Sequence, residues 1–277
     1  MKLNWGILYI IIASIFVSSC SSFTKIQRRG TFEEKYAAAK EYYQKADYYR
    51  AGTLFDQIFP FSIGTPVADT IHILNAYCQY YQGALFFAAQ NFKSFYQKYP
   101  RSARAEEANY MFSRCLYETS APVNLDQQST KDAINAFQDF LAKYPNSSYQ
   151  DESLEIIQRM QEKLEMKAYL LAKMQLKIHH YRGAVVSIDN FKKDYPSSKF
   201  LEELAYTRLN AQYLFGKFSV ERIKKDGETY HLKSDRLIKA KKFYYQFIDN
   251  YPSSPFVKKA ELLLTEIETE YNSLKYK

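Results

Sequence analysis

Few residues in this chain are equipped for bond-making chemistry. Its four histidines are His72, His179, His180 and His231. His179 and His180 are adjacent, so on a helix their rings would point about 100° apart and could not share a metal as an i, i+4 pair does. No His-Glu-x-x-His, nucleophile elbow or glycine-rich phosphate loop occurs, and the eight glycines leave little material for a phosphate cradle. The carboxylate pairs Glu106-Glu107 and Glu202-Glu203 fall at expected helix starts, where the helix dipole accounts for them. Catalysis, a cofactor and a bound metal are therefore not expected. Tyrosine is the abundant functional side chain, with 26 copies. A ring with a polar tip suits peptides whose side chains are apolar and whose backbone still needs partners. The candidates are Tyr36, Tyr43, Tyr77, Tyr80 and Tyr81, provided that the first helices of a repeat array line a groove. The competing expectation is that these rings pack between helices with their hydroxyls reaching solvent.

The elements that would position them are announced by the phrase Ala-x-x-x-Phe-x-x-Phe-x-x-x-Tyr-Pro. It reads Ala88, Phe92, Phe95, Tyr99, Pro100, then Ala133, Phe137, Phe140, Tyr144, Pro145. It returns as Ala184, Ile188, Phe191, Tyr195, Pro196, and as Ala240, Tyr244, Phe247, Tyr251, Pro252. A weaker first copy is Ala51, Phe55, Ile58, with an early Pro60. Steps of four and three place these side chains on one helical stripe, and proline is expected to stop each helix. Ser102, Asn146, Ser197 and Ser253 follow, with the chemistry that caps a next helix. The pattern is that of the second helix of a tetratricopeptide repeat, although the spacing here exceeds 34 residues. The expected fold is all-α: a right-handed superhelical solenoid of about five such hairpins, closed by a C-terminal capping helix over Pro255 to Tyr276. Tyr149 to Ile178 lacks proline and glycine and is expected to be one long helix. Glu118 to Ser129 reads as a polar loop, and Gly216 to Ser234 as an insertion with an Asp226-Gly227 turn.

The front of the chain is different. Met1-Lys2 is followed by an almost entirely apolar Trp5 to Val17 and then by Val17-Ser18-Ser19-Cys20. The apolar centre is short for a membrane span, and the segment resembles a bacterial lipoprotein signal in which cleavage leaves Cys20 as the lipidated N-terminus. Residues 1–19 are then a cleaved signal, 20–30 a polar, basic tether (Lys25, Arg28, Arg29), and 31–277 the repeat domain. Within that domain, repeats over 31–145 precede repeats over 149–277. A multi-acyl anchor holds a protein on a membrane almost permanently. Cys78 and Cys115 fall at equivalent positions of neighbouring first helices, too far apart for a disulfide, and are expected to be small buried residues. The net charge of +8, from 38 basic and 30 acidic residues, reads mostly as a solvated surface. With no zinc finger, basic recognition helix or RNP-type strand, nucleic acid is not an expected partner.

Further motifs carry a resemblance to one family. Phe59-Pro60-Phe61 is similar to its Tyr-Pro-Phe-Gly after the first hairpin, and Ala76-Tyr77-Cys78-Gln79-Tyr80 to its Ala-Tyr-Tyr-Lys segment. Asn109-Tyr110-Met111-Phe112-Ser113-Arg114 follows its Tyr-Met-Arg-Gly stretch. Tyr144-Pro145-Asn146-Ser147-Ser148-Tyr149, the long helix, Tyr181-Arg182-Gly183-Ala184 and Asp194-Tyr195-Pro196 complete the ordered set. Together with Cys20, these residues resemble the BamD (ComL) family of outer-membrane β-barrel assembly lipoproteins over nearly the whole mature chain. The resemblance implies a non-enzymatic scaffold, lipid-anchored on the periplasmic face of the outer membrane. It implies C-terminal repeats that dock on the BamA barrel subunit and N-terminal repeats that receive unfolded barrel precursors. Lys193 stands where the family has a basic docking residue, retaining the charge but not arginine's bidentate fork. The family's Asp-Arg-Asp-Pro is not reproduced around Asp126-Gln127, and the Gly216 to Ser234 insertion is longer than in short members. Two alternatives are a periplasmic repeat scaffold of the Tol or cell-wall system, which usually carries a coiled coil, and a SusD-like nutrient-binding lipoprotein, which needs more chain.

Overall fold

The structure, a computed structural model, describes residues 22–225 and 228–275. The signal segment, Cys20 and the Asp226-Gly227 turn lie outside the described residues. The described chain is an all-α helical-repeat protein with one small β-hairpin. It divides into two compact units, one up to Met160 and the other from Gln161.

The first unit begins with α1 (residues 22–29), in the stretch expected to be a tether. Phe23 and Ile26, three apart on one face, pack on the apolar cluster of the first hairpin, and their burial is what makes this polar stretch helical. Next come α2 (Phe32–Gln44), α3 (Tyr48–Ser62), α4 (Ala68–Tyr81), α5 (Leu85–Lys98), α6 (Ala105–Glu118) and α7 (Gln128–Lys143). A capping box starts α2: Glu34 N–H donates to Thr31 Oγ1 at 3.2 Å, and Thr31 N–H to Glu34 Oε2 at 2.9 Å. The long helix α8 (Gln150–Lys177) follows as its lack of breakers predicted. The second unit takes the later part of α8, then α9 (Tyr181–Asp194), α10 (Leu201–Lys217), α11 (Leu232–Asn250) and the capping α12 (Val257–Lys275). The insertion contains β1 (Ile223–Lys225) and β2 (Glu228–Tyr230), paired antiparallel with Ile223 opposite Tyr230. Strand structure was not expected there.

The repeated phrase does what its spacing predicts. Ala88, Ala133, Ala184 and Ala240 are fully buried, and the aromatics at the next positions fill the core: Phe92 and Phe95, Phe137 and Phe140, Phe191, Phe247. Four helices end alike, with the tyrosine N–H donating back to the phenylalanine carbonyl four residues earlier, at 2.8 to 2.9 Å in Tyr99, Tyr144, Tyr195 and Tyr251. The serine two residues after each proline then closes the turn. Ser102, Ser147, Ser198 and Ser254 donate their N–H to the tyrosine carbonyl and accept at Oγ from the backbone two residues on. This corrects the expected capping role of Asn146, Ser197 and Ser253, each one residue too early.

Pro60 is a second correction, because α3 runs through it to Ser62. Pro60 forfeits one ladder bond, to the Asp56 carbonyl, but only two helical residues follow it, and Ser62 Oγ donates to the Phe59 carbonyl at 2.8 Å. Three hairpins turn from first to second helix through a residue in the left-handed region: Ala46 (φ 58°), Gly83 (φ 75°) and His179 (φ 63°). Each is followed by an N–H bonded to a carbonyl five residues back: Asp47 to Tyr42, Ala84 to Gln79 and His180 to Gln175, all at 2.9 Å.

Candidate functional site: a tyrosine and carboxylate face

The first helices of successive repeats are joined by side-chain rungs. In the first unit the Tyr77 hydroxyl of α4 donates to Glu107 of α6, and the Tyr80 hydroxyl donates to Glu118 Oε1 at 2.7 Å. Arg114 of α6 continues the line, reaching Glu118 Oε1 and Glu152 Oε1 at 3.0 Å each and the Tyr110 hydroxyl at 3.1 Å. The Tyr110 ring stacks on Tyr149 with centroids 4.1 Å apart. In the second unit, Tyr169 of α8 donates to Glu203 Oε2 of α10 at 2.8 Å, and Tyr213 of α10 to Glu266 Oε2 of α12 at 2.7 Å. The carboxylates at helix starts thus do more than complement a dipole; they accept bonds from the neighbouring repeat.

The structure brings four of the five candidate tyrosines together in the first unit. Tyr43 meets Tyr48 edge-on at 5.6 Å, and Tyr48 stacks on Tyr81 at 4.5 Å. Tyr81 in turn contacts Tyr77 at 5.9 Å and Tyr80 at 5.5 Å. Tyr36 stands apart, stacked on Phe32 at 6.4 Å. Tyr81 is the open face of this group at 51% exposure, whereas Tyr43, Tyr77 and Tyr80 are half-buried. Burial, then the adjoining Glu118, pushes the Tyr80 phenol up to about 12. Burial followed by Glu107 raises Tyr77 further, and burial foremost raises Tyr43. These phenols stay protonated donors at any physiological pH. The result is a sheltered ring surface edged by carboxylate oxygens. It can take apolar side chains on the rings and peptide N–H groups at the rim.

The remaining candidates are placed as follows. Lys193 is exposed in the last turn of α9. Among the described residues no cluster of three or more His, Cys, Asp or Glu side chains could hold a metal ion. Cys78 and Cys115 are buried free thiols. Sequence reasoning missed Tyr48, Glu107, Arg114 and Glu118, and dismissed Glu107 as a helix-start residue. A usable signal was present for two rungs, since α4 with Tyr77 and α8 with Tyr169 are each followed by a first helix with a glutamate pair in its opening turn, whereas α12, which partners Tyr213, has none there.

Such a fold defines a class: an all-α helical-repeat protein. The family model described as YfiO, outer membrane lipoprotein, matches residues 28–208. The chain belongs to that family. Two curated relatives are both described as outer membrane protein assembly factor BamD. The protein of Rickettsia prowazekii is 24% identical over 164 residues, covering 58% of this chain and 65% of its own. That of Caulobacter vibrioides is 27% identical over 105 residues, covering 38% of this chain and 34% of its own. The alignments therefore span less than two thirds of either relative.

Proposed function

We propose that this protein is an outer-membrane protein assembly factor acting as a non-enzymatic scaffold. In this reading residues 1–19 are removed, Cys20 carries the lipid, and residues 31–277 form the repeat domain on the periplasmic face of the outer membrane. Repeats over 31–145 receive unfolded β-barrel precursors on the tyrosine face, and repeats over 149–277 dock a BamA subunit with Lys193 at the contact. The family match over residues 28–208 carries the reading. The ring group Tyr43, Tyr48, Tyr77, Tyr80 and Tyr81 supports a peptide-receiving role for the first unit. An anchor raises the local concentration of scaffold, precursor and subunit, so no single contact needs to be tight.

A mild-detergent pull-down from outer membranes with a C-terminally tagged chain tests this, with Cys20→Ala as control. BamA is expected in near-stoichiometric recovery. Lys193→Glu is expected to reduce that recovery several-fold, by reversing one charge at the contact. Recovery of Tol components without BamA would overturn the assembly role, and undiminished recovery with Lys193→Glu would remove that residue from the interface.

A further inference from the structure

The first unit exposes large aromatic side chains at one end of its hairpins. Each second helix begins at that end, and the residue two before its core alanine points outward: Tyr49 ahead of Ala51 and Phe86 ahead of Ala88, at 69% and 68% exposure. Phe87, beside Phe86 with ring centroids 5.6 Å apart, is 62% exposed. Exposed rings also occur at the opposite end, where Phe61 closes α3 at 77% exposure. Exposure alone therefore does not choose between the two ends.

The start of the chain chooses. Phe23, the second residue of α1, meets the Tyr42 ring edge-on at 5.7 Å, with the Arg50 guanidinium 5.5 Å from its centroid. Tyr42 lies in the last turn of α2 and Arg50 in the first turn of α3, so α1 starts at the end that bears Tyr49. Cys20 precedes Phe23 by three residues, which reach roughly 11 Å even when fully extended. Arg50 and Phe61 are separated by about 17 Å of helix, beyond that reach.

From this we infer that the Tyr49, Phe86 and Phe87 end of the first unit is seated in the headgroup region of the membrane to which the lipid attaches. The inference rests on the lipoprotein reading of Cys20. A lipid attached so close to α1 cannot hold the unit away from the bilayer. Apolar rings facing the surface would exchange water for the interface, where aromatic residues are favoured. The occupant is a phospholipid surface, and because Tyr81 ends α4 at this same end, the tyrosine face opens at that surface.

The chain's only tryptophan is Trp5, within the signal segment, so the processed protein carries no indole to compete with an introduced one under tryptophan-selective excitation. Phe86→Trp and Phe61→Trp, each in the full lipidated chain, are to be reconstituted in phosphatidylethanolamine–phosphatidylglycerol vesicles with and without brominated acyl chains. Bromolipid is expected to cut the emission at position 86 roughly in half while leaving position 61 to an aqueous quencher. Equal response at both positions, or an indole at position 86 open to the aqueous quencher while the protein floats with the vesicles, would overturn the membrane seat. An indole at position 86 that is open on vesicles but shielded in native membranes would assign this end to a protein partner instead. Failure of the Cys20 protein itself to float would overturn the anchor, and the inference with it.

Discussion

In the unit up to Met160, phenols of α4 reach carboxylates of α6, and their rings touch one another through Tyr81. In the unit from Gln161 the same step joins Tyr169 to Glu203 and Tyr213 to Glu266, and there a lysine joins the rung, with Lys173 Nζ donating to the Tyr169 hydroxyl at 2.9 Å and to Glu203 Oε1 at 2.7 Å. Tyr169 stacks on Phe200 at 4.3 Å and Tyr213 is buried. Positive side chains also accumulate in the second unit, as in Lys192-Lys193, Lys241-Lys242 and Lys258-Lys259. Inward positions are nearly the same in both units, because stacking helices admit only a small residue followed by rings at set intervals. Outward positions are released from that demand. The two units therefore share an architecture and differ in surface chemistry: rings edged with carboxylates in one, positive charge in the other.

The strongest challenge to the shared architecture is to empty equivalent core sites. Phe92→Ala and Phe247→Ala should each cost about 3 to 5 kcal/mol, measured by chemical unfolding. Amide exchange should locate the loss in the unit that carries the change. A much smaller cost in one unit would show that its repeats are not packed to the same standard.

A titration should separate the units more sharply. His72 is buried against Phe59, Phe95 and Tyr99, with no hydrogen-bond partner for Nδ1, while the other three histidines are exposed. Burial, and then the charge of Lys98, lowers its pKa to about 4 from 6.5. Above pH 6.5 the ring is neutral in both the folded and the unfolded chain. As pH falls from 6.5 towards 4, the unfolded chain takes up a proton that the folded one refuses, and stability is lost. The first unit should weaken by on the order of 3 kcal/mol across that window. His72→Phe should flatten the curve, and exchange in the second unit should not follow it.

Smaller effects test the rungs. Tyr80→Phe and Tyr213→Phe each delete one hydroxyl and should cost about 1 to 2 kcal/mol, more at Tyr213, which is buried where Tyr80 is only half-buried. Equal costs in a thermal-shift comparison would deny that the first unit keeps its phenols nearer the surface. The smallest expected change is a gain. Ala46→Gly in one unit and His179→Gly in the other relieve a left-handed backbone and should add about 0.5 to 1 kcal/mol each, read as raised melting temperatures.

How far the sequence reached is clearest residue by residue. The second helices, their buried alanines and rings, and their ends at Tyr99, Tyr144, Tyr195 and Tyr251 follow from spacing alone. These depend on interactions within one turn, and a local pattern encodes local bonds. The long α8 was legible for the same reason, from an unbroken run. The helical form of residues 22–29 was not, since Phe23 and Ile26 need a cluster supplied by α2 and α3. Neither was the hairpin of β1 and β2, whose three-residue strands are too short to display alternation.

The candidate face shows the same division. The chain sequence by itself determined that tyrosines would recur on first helices and that an Ala-aromatic stripe would bury the second helices. Only the tertiary structure decided that Tyr77 would meet Glu107, 30 residues on, and Tyr213 would meet Glu266, 53 residues on. Such partners are chosen by the offset between stacked helices, a distance set by core packing and not by any one repeat. The same packing set Tyr81 outward among half-buried neighbours, and so made a surface from residues that, taken singly, were indistinguishable from core.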